Sequence, residues 1–106
     1  MSRKAAIVEY IRYALTDHSP EELIDAYREA GTHLAAAPEC LGYELCASDD
    51  DPRSQILRIV WTSADAHIDG FRRGPNFPPF LKAIGPFVGE IAEMRHYHRT
   101  GVEWRR

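Results

Sequence analysis

Trp61 and His67 are the residues whose types and spacing most suggest chemistry. The indole closes an apolar run, ILRIVW (Ile56 to Trp61), and the imidazole follows six residues later on a helical pattern. A bulky indole facing an imidazole could line a pocket for a flat aromatic molecule, and an imidazole with a free pKa of about 6.5 can accept a proton or bond a substrate oxygen. Plainer readings stand beside this one. Trp61 as a core residue needs only a partner for its indole N–H, and a single histidine on an apolar stripe often serves packing.

Glu9 and Tyr13 alternate with Ile7 and Ile11, so they can share a face with Trp61. A buried carboxylate there would have a raised pKa and could act as a base; a strand end open to water is the preferred expectation. His96 and His98 share one face of the last strand at a spacing able to chelate a metal. No cysteine or histidine pair elsewhere matches that spacing, so an exposed or dimer-facing strand edge is expected and no metal is predicted. Arg12 and Arg58 fall on the opposite sheet face, where they suit salt bridges across a dimer interface. His18 and His33 lie near helix ends and carry no signal.

The elements that must position these groups read clearly. Residues 5–15, AAIVEYIRYAL, are apolar on both faces and predict a central strand. Ser19, Pro20 and Glu22 form a helix start with a capping box, and Leu23, Tyr27, Ala30 and Leu34 make one apolar stripe that should run to about Ala37 and stop at Pro38. Leu41 to Ala47 and Gln55 to Thr62 predict an antiparallel hairpin around the polar turn from Ser48 to Ser54. Ser63 can cap a helix in which Ala64, His67, Ile68 and Phe71 share one face, ended by Gly74 and Pro75. Asn76 can cap the next, with Pro78 and Pro79 in its first turn and Phe77, Phe80, Leu81 and Ile84 as its buried stripe, until Pro86. Glu90 to Thr100 predicts the last strand.

The resulting β-α-β-β-α-β order, with its second helical region broken in two, specifies an α+β, ferredoxin-like fold: a four-stranded antiparallel sheet with helices on one face. Ala6, Val8 and Tyr10 on the first strand, with Ile56 and Val60 on the third, then need a different cover, and a second copy of the sheet would supply it. A homodimer is predicted.

Composition excludes several functions. A chain of 106 residues with 44% hydrophobic residues fits one domain, 1–106, with residues 101–106 as a charged tail whose Trp104 could pack on a partner subunit. A net charge of −3 without a basic stripe argues against nucleic acid. No run approaches the roughly 20 apolar residues of a membrane span, and the start, MSRKAAIVEY, has no signal-peptide apolar core. Cys40 and Cys46 are poorly placed to bridge, which predicts a reduced cytoplasmic protein.

Four stretches, PECLGYEL (Pro38 to Leu45), IVWTSADAH (Ile59 to His67), GFRRGPNF (Gly70 to Phe77) and EMRHYH (Glu93 to His98), match a known family in spacing and order. By them the chain resembles the antibiotic biosynthesis monooxygenase domains, a branch of the dimeric α/β-barrel superfamily. The resemblance implies a cofactor-independent monooxygenase that inserts oxygen into a phenol or quinol, the substrate supplying the electrons, with no metal, flavin or haem. It also implies a pocket between sheet and helices. Trp61 matches the family tryptophan at the end of the third strand, and His67 holds the position of a tyrosine or histidine six residues on. These two are the expected catalytic residues, with Glu9, Tyr13, Leu57, Phe71, Phe77 and Leu81 binding substrate around them.

Departures from the family pattern are also visible. The family's substrate-holding asparagine is missing, because Asn76, the one asparagine, stands at a helix cap and Leu57 occupies a strand position expected to be polar. Arg72 and Arg73 should point to solvent. The asparagine and histidine of haem-degrading relatives are replaced by Ile11 and Leu81, which argues against that chemistry. The competing reading is a non-catalytic small-molecule-binding or structural dimer of the same fold, and a cavity beside Trp61 would discriminate the two.

Overall fold

The computed structural model describes residues 6–106, so Ala5, the first residue of the expected opening strand, lies outside them. The elements are β1 (Ile7–Ala14), α1 (Pro20–Ala36), β2 (Cys40–Ala47), β3 (Ser54–Trp61), a π-helical turn (Ala66–Phe71), α2 (Phe77–Ile84), a 3-10 segment (Gly85–Glu90) and β4 (Ile91–His98). The strands form one antiparallel sheet in the order β2-β3-β1-β4, the ferredoxin-like arrangement.

Helix α1 starts as its sequence dictates. Ser19 Oγ accepts the Glu22 N–H at 3.2 Å and Glu22 Oε1 accepts the Ser19 N–H at 2.9 Å, which satisfies two of the amide donors a helix start leaves open. Leu23, Tyr27, Ala30 and Leu34 are all buried, and the chain leaves the helix at Ala37, whose N–H returns to the Leu34 carbonyl. Gly31 on that stripe lets the half-exposed Tyr43 ring of β2 lie against the helix, since a Cβ there would push the ring aside.

Strand register sets the site. Ile7 faces Trp61 and Ile11 faces Leu57 across the β1–β3 pair, while Glu9 faces His96 and Ile11 faces Met94 across β1–β4. These side chains lie on the helix-covered face. Ile7, Ile11, Tyr13, Leu57, Ile59 and Trp61 pack there with the α1 stripe and with Phe71, Phe80, Ile84 and Phe87. Tyr13 and Tyr27 share a buried hydroxyl–hydroxyl hydrogen bond of 2.5 Å, and burial pushes Tyr13 up to about 12. On the outer face Tyr10, Ile56 and Tyr97 are exposed, whereas Val8 and Val60, expected to share that openness, are buried within the chain.

Three local expectations need correction. Ser63 does cap, accepting the Ala66 N–H at 2.9 Å, yet the helix it opens is wound as a π-turn in which the Arg72 N–H reaches the His67 carbonyl at 3.2 Å. The wider turn keeps His67 and Phe71 inward and rotates Ile68 outward. Gly74 closes it, its N–H bonding the Phe71 carbonyl at a point where any Cβ would strike the Gly70 carbonyl oxygen. Asn76 makes no side-chain cap: its own backbone is already helical and its carbonyl accepts the Phe80 N–H. Leu81 is exposed, because one residue beyond buried Phe80 turns about 100° around the helix.

The last strand begins at Ile91 and ends at His98, two residues short of Thr100. Glu90 leaves the strand to bind the turn after β1. One carboxylate oxygen accepts the N–H groups of Thr16 and Asp17 at 2.8 Å and of His18 at 3.2 Å; the other meets His18 Nδ1 at 2.5 Å. His18, which carried no signal in the sequence, thus helps to tie the start of β4 to the loop preceding α1.

Candidate active site

Glu9 is the buried centre of a polar cluster. It is only 2% exposed, not the water-facing strand end expected, because β1 is a central strand with β3 on one side and β4 on the other. Trp61, two residues along the neighbouring strand from Glu9's direct partner Ile59, reaches back diagonally and donates its indole N–H to Glu9 Oε1 at 3.0 Å. This bond meets the need of a fully buried indole and holds one carboxylate oxygen in place.

The π-turn lays His67 on the indole. The two rings stack with centroids 4.5 Å apart and planes 13° from parallel, and Phe71, one turn on, touches the indole at 5.0 Å. His67 Nε2 stands 3.5 Å from Glu9 Oε1, and its Nδ1 lies 2.9 Å from His96 Nε2. His96, directly across from Glu9 on β4, brings the same nitrogen within 3.5 Å of Glu9 Oε2. The imidazole therefore covers one indole face, and the contacts of Trp61 here are with Glu9, His67 and Phe71.

Burial dominates the electrostatics. It raises the Glu9 carboxyl above its ordinary value, against the opposing pull of the Trp61 N–H and the nearby charges of His96 and Arg72. Burial, reinforced by Arg72 and His96, holds His67 down at about 3, so its ring is neutral at physiological pH. A neutral imidazole beside a buried carboxylate suits hydrogen bonding to a substrate oxygen by the first and proton acceptance by the second.

A cavity of about 310 Å³ opens on this cluster, within the size range of small-molecule sites. Its walls include Glu9, Tyr13, Trp61, His67, Phe71, Phe77 and Leu81, so seven of the eight expected site residues meet there. Leu57 does not. It lies four residues before Trp61 on β3, about 13 Å along the strand, in the fully buried core, and Ile59 takes the wall position instead. Leu81, though exposed, stands on the cavity wall with Val88 and Met94.

Two features of the site were missed in the sequence. Arg72, expected in solvent, lines the cavity and places Nη2 3.9 Å from Met94 Sδ. His96, set aside with His98 as a strand-edge pair, contacts both Glu9 and His67. The signal available was the alternation of β4, which puts His96 on the inner face; its partner groups come from β1 and the π-turn and share no local spacing with it. Glu9, His67 and His96 are the residues at this site with donor atoms suited to a metal ion.

Residues 6–83 match the family model described as antibiotic biosynthesis monooxygenase. Among solved structures, a Bordetella bronchiseptica protein assigned to antibiotic biosynthesis monooxygenases is 21% identical over 91% of this chain and 98% of its own, with a TM-score of 0.75. SnoaB, a cofactor-independent oxygenase from Streptomyces nogalater, is 19% identical over 94% of this chain and 96% of its own, with a TM-score of 0.71. A conserved protein from Methanosarcina mazei Go1 is 12% identical over 92% of this chain and 96% of its own, at 0.73. These likenesses concern the fold. No curated protein matches the chain.

Proposed function

Because the chain belongs to the antibiotic biosynthesis monooxygenase family, we propose that it oxidises a phenolic or quinol aromatic substrate with molecular oxygen and without a cofactor. The observation that carries this reading is the cavity of about 310 Å³ whose otherwise mostly apolar wall holds a buried carboxylate, Glu9, and a buried imidazole, His67, fixed together against Trp61. Apolar walls fit a two- or three-ring aromatic body. Phe71, Phe77 and Leu81 hold its rings, while His67 bonds the phenolic oxygen and Glu9 takes the proton.

The resulting phenolate is electron-rich at the ring carbon that oxygen attacks. For an anthrone-type substrate the balance is simple: a CH₂ carbon is oxidised to C=O, dioxygen is reduced, one oxygen atom enters the product and the other leaves as water with the two hydrogens. All the electrons come from the substrate. Arg72 at the cavity wall is placed to favour the anion that forms.

The working form is a homodimer in this reading, supported by the exposed Tyr10, Ile56 and Tyr97 on the sheet face opposite the helices. A single domain in the cytoplasm is part of the same proposal; among the described residues no helix is long and apolar enough to cross a membrane, and Cys40 and Cys46 are free. Turnover under ¹⁸O₂ tests the chemistry: one labelled atom in the quinone product supports it, and an unlabelled product rejects it. Replacement of His67 with Ala tests its role, since unchanged turnover would remove it from the mechanism.

A further inference from the structure

We propose that Glu9, His67 and His96 form a binding site for a divalent first-row transition ion, of the zinc or iron(II) kind, at the edge of the cavity that Glu9 and His67 line. The three residues come from β1, the π-turn and β4, and one donor atom from each lies within 4.8 Å of the other two. The imidazoles approach at 2.9 Å, and His96 Nε2 is 3.5 Å from Glu9 Oε2. Donors held at metal distances, at tetrahedral or octahedral angles, stand roughly 2.8–3.6 Å apart. The two edges at His96 already fall in that range, and the third, between His67 and Glu9, lies within 4.8 Å and closes by a side-chain adjustment.

Its chemistry also fits. Two imidazoles and one carboxylate are a donor set that these ions favour, and three protein ligands leave positions open toward the cavity. The ligands are already held from behind, which is a large part of what makes a metal site selective. The Trp61 indole N–H fixes Glu9 Oε1, leaving Oε2 turned toward His96, and the indole face orients the His67 ring. The His96–Glu9 separation of 3.5 Å exceeds the usual range of about 2.7–3.2 Å for a hydrogen bond, so a cation there would improve that contact, while the 2.9 Å bond between His67 Nδ1 and His96 Nε2 is the one it would have to replace.

Arg72 opposes the ion, being a cation close enough to act on both Glu9 and His67, but it is exposed and free to move toward solvent. A bound ion would engage the lone pairs that Glu9 and His67 offer a substrate, so metal binding and the metal-free oxygenation proposed above are alternatives for the same atoms. The binding claim stands whether or not the cavity turns over a quinol.

The test is direct titration of chelator-treated, tag-free protein with Zn²⁺ by calorimetry and with Co²⁺ by visible absorption. One ion per chain with roughly micromolar or tighter affinity is expected. Glu9→Gln, whose amide oxygen can still accept the Trp61 bond, and His96→Ala should each weaken Zn²⁺ binding by at least about 100-fold while circular dichroism stays native. His98→Ala, on the same strand face but opposite Ile7 instead of Glu9, should leave it unchanged. Absence of saturable binding below about 1 mM, or binding that survives either ligand substitution, would overturn the proposal.

Discussion

The Trp61 indole donates its N–H to the Glu9 carboxylate at 3.0 Å across the β1–β3 pair, and the carboxylate is buried with it. A bond of this kind to a charged acceptor contributes more than a neutral one, and its loss leaves the acceptor buried and underpaired. Trp61→Phe should therefore destabilise the fold by about 2–4 kcal/mol, combining the lost bond with the smaller ring. Glu9→Gln should cost clearly less, because its amide oxygen can accept the same N–H. Urea unfolding of the two variants checks the order; equal losses would contradict it.

Leu57 and Leu81 separate core from cavity. Leu57→Ala removes a fully buried side chain and should cost about 2–5 kcal/mol with little change in KM for the folded fraction. Leu81→Ala, at an exposed position on the cavity wall, should stay within about 0.5–1 kcal/mol of the parent while raising KM for an aromatic substrate. Thermal melts paired with steady-state kinetics distinguish them.

The Glu90–His18 latch gives stability a pH profile. Bonds from His18 and from the amides of Thr16, His18 and Asp17 hold the Glu90 carboxyl down at about 2, so its contribution is present above the ordinary value of 4.5 and lost as pH falls through about 2. His18 is raised from 6.5, chiefly by its bond to Glu90 with help from the charges of Glu90, Glu22 and Asp17, so its contribution is complete below 6.5 and lost as pH rises through the folded value. Between these limits the latch is strongest. Melting temperatures at pH 5.5 and pH 8.5 should fall with pH in the parent more than in His18→Ala, and an equal fall in both would exclude the latch.

Much of this architecture was legible in the residues because its determinants are local. The α1 capping box and the stripe of Leu23, Tyr27, Ala30 and Leu34 follow from spacing alone, and the antiparallel ferredoxin-like order follows from the sequence of elements. Trp61 and His67 stood out because both lie within one strand–turn–helix unit. Glu9 was legible as a site candidate but its burial was not, since a carboxylate on a strand looks solvent-facing until its neighbours on both sides are known, and His96 gains its partners only through the β1–β4 register. The outward turn of Ile68 was hidden for another reason, since a π-turn carries apolar spacing that reads as an ordinary helix.

The central claim is that the buried Glu9 carboxylate activates an aromatic substrate for reaction with oxygen in the cavity beside Trp61. An oxygen electrode with chelator-treated protein and a panel of naphthohydroquinones and anthrones measures this most directly. Enzyme-dependent uptake of one O₂ per quinone formed from an anthrone is expected, with a drop of about 100-fold or more in kcat for folded Glu9→Gln. Uptake no faster than the spontaneous rate across the panel, or a Glu9→Gln variant as fast as the parent, would contradict it.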